Sequence, residues 1–238
     1  MYGNGIVRQF QAMGARARIT LAGLRFEIDI VNDRYGDLFD LRVPLDGSVT
    51  LRVHDVQQWE RQLLLAAQSS MQKWAQKFLC GHDERDWFVA ALPQKPDVMN
   101  VQQAFEALKP RAVLLEQERK GVARRQRRRR HTAAYLRQGE WFFVPVPDLV
   151  VQPENIRHND VLVREKGTPH IVEWLYRPSG RKGLFARGSV SHPDHNTIRL
   201  DRWHQVFRNK EVEPVEQPTS NRMQLARPVQ PWSVRFID

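Results

Sequence analysis

Polar and apolar residues alternate through much of the first fifty positions, the two-residue period of a strand with one buried face. Residues 16–21 alternate in this way, and Phe26, Ile28 and Ile30 fall on one face of the next segment. Residues 32–36 (NDRYG) carry a turn signal, residues 39–43 alternate again, and Asp46-Gly47 marks another turn before residues 49–53. Together these segments predict a meander of short antiparallel strands.

The period then changes. Val56, Trp59, Leu63, Ala67, Met71, Trp74 and Phe78 recur three to four positions apart, which predicts one long amphipathic helix. Asp55 is placed to cap its N-terminus and Gly81 to end it. Residues 87–92 form a continuous apolar run that reads as a buried strand, closed by Pro93 and Pro96. Residues 101–108 suit a short helix, which Pro110 interrupts. Helix-forming residues resume at Ala112 and are expected to continue to about Tyr135.

Beyond that point strands are expected at 140–146, 161–164, 171–177, 184–191, 197–200 and 203–208, with a hairpin loop at 179–183. His158-Asn159-Asp160 reads as a turn, residues 211–218 as an exposed linker and residues 232–237 as a returning strand. The expected class is therefore α+β. An N-terminal antiparallel β-meander with a long amphipathic helix occupies residues 1–110. A basic helical connector follows at 111–135, and a β-rich C-terminal domain at 136–238.

Length and composition narrow the class of protein. At 238 residues, 41% hydrophobic and 27% charged, the chain suits one sizeable domain or two small ones. The longest aliphatic run, residues 63–67, is far too short to cross a bilayer, and the N-terminal residues lack the apolar stretch of a secretion signal. Cys80 is the sole cysteine, so no intrachain disulfide can form. A cytoplasmic, non-membrane protein is expected.

Net charge gives the strongest lead. A formal charge of +10 and a pI near 10.2 attract polyanions and speed their encounter. The charge concentrates in Arg119, Lys120, Arg124, Arg125, Arg127, Arg128, Arg129 and Arg130, with His131 after them. On a helix these cations would surround the axis and repel one another at three- and four-residue spacing. Phosphates would relieve the repulsion, and arginine's planar fork suits their oxygens. Tyr135, Trp141, Phe142 and Phe143 follow closely and could stack on bases, with Trp141 and Phe143 sharing a strand face. The expected partner is nucleic acid, RNA or DNA, within a nucleoprotein assembly. An acidic protein partner, with this chain as a structural adaptor, is the alternative.

Two stretches concentrate reactive groups. The first holds Cys80, His82 and Asp83 between a predicted helix end and a strand. A thiol there would need a histidine to lower its pKa. The dipeptide His82-Asp83 resembles that of HD-type phosphohydrolases, but their ligands sit on helices and a strand is predicted here. The second holds His192, Asp194 and His195, with His170 before them and His204 after. A turn at Pro193-Asp194 would bring His192 and His195 together. Converging His and Asp side chains can bind a divalent metal or move protons at a phosphodiester. That makes a metal-dependent nuclease or phosphodiesterase the second functional expectation, with His192, Asp194 and His195 as its catalytic candidates. No Walker-type phosphate loop, GxSxG elbow, paired CxxC or HExxH motif occurs.

Overall fold

A computed structural model describes residues 3–73, 75–94, 97–163, 168–180, 182–212 and 232–234. The chain is α+β, with three sheets and a β-rich C-terminal part. It divides into two compact units, one of residues 1–82, 87–107 and 211–237, the other built mainly from residues 83–86 and 108–210.

The first unit opens with a helix, α1 (Gly3–Ala12), which strand periodicity did not predict. Its signal lies in Ile6, Phe10 and Met13, apolar at helical spacing; Phe10 and Met13 are fully buried. The strands β1 (Ala17–Leu21), β2 (Phe26–Asp33) and β3 (Gly36–Val43) follow as the alternation predicts. Their pairing is not a simple meander. β2 and β3 form a tight antiparallel hairpin, but β1 joins the far edge of β3 in parallel register, Ala17 opposite Phe39. Strand β14 (Trp232–Val234), the expected returning strand, lies parallel to β2 and completes the order β1-β3-β2-β14.

The long amphipathic helix does not form. Residues 49–91 make a second antiparallel sheet from β4 (Val49–Gln57), β5 (Gln62–Ser69), β6 (Gln76–Asp83) and β7 (Asp86–Ala91), in that order. Leu63, Leu65 and Ala67 point into a core with Phe26, Ile28, Phe39, Leu41, Phe78 and Cys80. Leu64 and Ala66, on the opposite face of β5, are buried as well. A strand buried on both faces shows no alternation, so its run of apolar residues reads equally as helix. Two members of the expected stripe, Trp59 and Met71, lie fully exposed in turns, and Trp74 lies outside the described residues. Gly81 ends no helix. It sits in β6, where a side-chain Cβ would come within 2.9 Å of both Gln62 and Phe88.

Asp55 does cap a helix, though not the expected one. Its Oδ2 accepts a bond from Val101 N–H at 2.9 Å, at the start of α2 (Val101–Leu108), while Asn100 Oδ1 accepts from Gln103 N–H.

The second unit begins with α3 (Arg111–Arg119) after Pro110. The expected helix to Tyr135 stops here. Gly121 takes φ +59, Val122 N–H donates to Gln117 O, and residues 124–126 form a single 3-10 turn. Six strands then build one antiparallel sheet: β8 (Leu136–Gln138), β9 (Trp141–Pro145), β10 (Ile156–Leu162), β11 (His170–Tyr176), β12 (Phe185–His192) and β13 (His195–Arg208). Their order is β10-β11-β12-β13-β9-β8. The two segments expected at 197–200 and 203–208 are one continuous strand. His158-Asn159-Asp160, expected as a turn, lies inside β10; Asn159 has φ +50, an irregularity absorbed by the strand. Most of residues 211–218 lie outside the described residues.

Candidate functional site

The basic tract is a folded segment of the second unit. Its anchor is the carbonyl oxygen of Arg127, which accepts from Lys109 Nζ at 2.6 Å, Tyr135 O–H at 2.6 Å and Gln117 Nε2 at 3.2 Å. Lys109, Gln117 and Tyr135 are all at most 2% exposed. Burying a lysine and a glutamine is favourable only when their donors are used, and one carbonyl at the head of the loop uses three donors. Val122, Ala134 and Tyr135 pack with Val113, Phe142 and Val144 beneath the segment.

This arrangement sorts the cations. Arg124, Arg125 and Arg129 are exposed, as are Lys120 and His131, and none of the five has an ion-pair partner among the described residues. Arg119 is held by Glu116, three residues earlier, at 2.5 Å. Arg127 donates from Nε to Val122 O at 3.1 Å, and Arg128 is half-buried. Arg130 bridges Asp83 and Glu84, which belong to the same unit. Burial alone would raise the pKa of Asp83, but Arg137 and Arg130 outweigh it and hold the carboxyl below its usual range.

The aromatics after the tract are core residues. Trp141 and Phe143 pack with Leu162, Val172 and Leu175, while Phe142 packs with Tyr135. Neither face of β9 is open to a base.

The histidines at the other end of the sheet converge more than the sequence suggests. His192 ends β12 and His195 begins β13, and the two are a cross-strand pair closed by Pro193-Asp194. The pairing of Ile171 with Ser191, carried one residue further, sets His170 across from His192. Residues directly opposite one another share a face. The three rings therefore form a compact triangle, with centroids 4.3 Å apart for His170–His192, 4.9 Å for His192–His195 and 5.6 Å for His170–His195. One nitrogen from each ring lies within 4.8 Å of the other two, close enough to hold a metal ion.

Burial shapes the chemistry of this cluster. His170 is 2% exposed, and burial together with the neighbouring His192 and His195 pushes its pKa down to about 3. The pKa of His195 is lowered by burial, then by His192, against the opposing pull of Asp83 and Glu140. His192 holds two bonds: Nδ1 accepts from Asp194 N–H at 3.2 Å, and Nε2 lies 2.9 Å from Thr168 O. The carboxylate of Asp194 is 41% exposed and 3.7 Å from His192, so it borders the cluster. His204 stays outside it, buried with its Nδ1 2.8 Å from Arg202 O.

Sequence reasoning did not connect Glu84 or Gly139 with the histidines. Glu84 Oε2 lies 3.7 Å from His195 Nδ1 and accepts from Asn196 N–H at 2.7 Å. Gly139, at φ +55 in the β8–β9 turn, faces His170 and His195 directly. A Cβ there would lie 2.9 Å from His195 Nε2 and 3.3 Å from His170 Nε2. Neither residue carries a local signal, because both sit in turns that meet the histidines only in the folded unit.

The other reactive stretch does not form a comparable centre. Cys80 is fully buried in the first unit's core, and burial raises its pKa. His82 packs edge-on against Trp87. Among the described residues no helix is long and apolar enough to cross a membrane.

Searches of family models, curated proteins and solved structures returned no match to this chain.

Proposed function

We propose that this chain binds a polyanionic polymer, nucleic acid foremost, through the exposed cations of residues 119–131, as a cytoplasmic component of a nucleoprotein assembly. The observation that supports this most is the ordering of Arg124, Arg125 and Arg129: exposed, without ion-pair partners among the described residues, on a loop anchored at the Arg127 carbonyl. Like charges crowded on a pre-folded loop raise its energy, and phosphates relieve that repulsion while releasing condensed counterions. Because the loop is already folded, binding loses less conformational entropy than it would for a flexible arginine-rich tail. Lys120 and His131 extend the same surface. Arg119 and Arg130, already paired, contribute less.

The experiment separates this loop from the general charge of the protein. Fluorescence anisotropy with labelled single-stranded RNA and duplex DNA is compared for the wild type, an R124S/R125S/R129S variant and an R8S/R34S/R52S variant. The two variants lose the same formal charge. The loop variant should bind at least about tenfold more weakly, with the control close to wild type. Equal loss in both variants would rule out the loop as the binding surface.

A second reading has one observation in its favour. His192 and His195 do converge, as a phosphodiester-cleaving centre would require. Asp194 borders them, its carboxylate 3.7 Å from His192 and open to solvent on the other side. Cleavage of labelled RNA or DNA that depends on divalent metal, is blocked by chelator and is lost in H192A/H195A would support it.

A further inference from the structure

The geometry points to a transition-metal site formed by His170, His192 and His195, selective for a borderline divalent ion such as zinc and retaining one coordination position for water or a ligand. Three observations carry it, and none depends on polyanion binding.

The first is the cluster itself: three imidazoles on three adjacent strands, with one nitrogen from each within 4.8 Å of the others. The second is an unused nitrogen. His170 is 2% exposed, yet its Nε2 is buried with no hydrogen-bond partner. A buried polar atom left without a partner is destabilising, and a ligand bond to metal would satisfy it. The third is the space above Gly139. A Cβ built there would approach His195 Nε2 to 2.9 Å and His170 Nε2 to 3.3 Å, so both nitrogens face one small volume that only glycine leaves open.

The surroundings match what a metal-ligating histidine needs. Such a ligand usually directs its other ring N–H at a carboxylate or a backbone carbonyl. His195 has Glu84 Oε2 3.7 Å from Nδ1, and that carboxylate is fixed by Asn196 N–H and Arg130. His192 has Thr168 O 2.9 Å from Nε2. To ligate, His192 gives up one of its two bonds, and the 3.2 Å one from Asp194 N–H is the weaker. Zinc–nitrogen bonds are about 2.0–2.1 Å, so the rings draw inward on binding. Three neutral imidazoles favour zinc, nickel, cobalt or copper over magnesium or calcium, which take oxygen ligands.

The test uses the full-length protein, stripped with chelator and titrated with zinc by calorimetry, with cobalt(II) as an absorbing probe. One zinc per chain should bind, with a rise in Tm and a visible cobalt spectrum typical of four-coordination. H170Q and H195Q should each weaken binding at least about 100-fold, beyond the 10–100-fold expected when a supporting residue is changed, as in E84Q. H131Q, on the exposed loop, should bind like wild type. G139A places a methyl group in the ligand volume and should also abolish the cobalt spectrum. If H170Q does not fold, the same readings on H195Q and G139A decide. No stoichiometric zinc binding, or an equal loss in H131Q and H195Q, would overturn the site.

Discussion

At the scale of single residues, much depends on one carbonyl. Arg127 O gathers Lys109, Gln117 and Tyr135, and so turns an arginine run into a loop with a defined backbone. Removing the Tyr135 hydroxyl should destabilise the protein by about 1 kcal/mol, the usual net value of such a bond, measured by denaturant unfolding of Y135F. A stability equal to wild type would show that the anchor is redundant. His204 supplies a pH prediction. Burial lowers its pKa, against the opposing effects of Arg202 O and Asp201. The unfolded chain therefore takes up this proton first as pH falls below about 6.5, and the stability contributed by neutral His204 is lost on the acid side. H204Q should flatten the acid limb of stability against pH by up to about 1.4 kcal/mol per pH unit. An unchanged limb would contradict this. The arginine run was plain in the sequence, but which arginines are paired was not. The partners of Arg130, Asp83 and Glu84, lie some 47 positions away.

At the scale of elements, β5 shows why the helical reading failed. Positions 63 and 67 satisfy a four-residue spacing and a two-residue spacing at once. With both faces of the strand buried, the intervening Leu64 and Ala66 gave no polar signal to break the tie. The exposed Trp59 and the positive φ of Arg61 mark the turn, whose residues 58–61 (QWER) include none of the Gly, Pro, Asn or Asp that signal one. L65A should cost about 2–5 kcal/mol in denaturant unfolding, the range for a fully buried leucine in a packed core. A cost below about 1 kcal/mol would mean that β5 is not central to that core. By contrast β9, β11, β12 and α2 were legible, because each is bounded by Pro, Gly or a polar turn, while β13 was legible only as two shorter strands. The histidine cluster was half legible. The Pro193-Asp194 turn predicted the His192–His195 pair, but only the register of β11 on β12 adds His170.

At the scale of the whole molecule, the α+β class and the excess of positive charge could be read from composition and patterning. The parallel pairings β1–β3 and β2–β14 could not, because such pairings join segments distant in the chain and leave no local trace. The most direct measurement is the dependence of nucleic-acid affinity on salt. For the wild type, log K against log salt should fall with a slope set by the phosphates neutralised, about 0.7 per contact on single strands and 0.9 on duplex DNA. R124S/R125S/R129S should flatten that slope by about two to three. A wild-type chain that ignores RNA, DNA and heparin at low salt, or a variant whose slope is unchanged, would contradict polyanion binding by this loop.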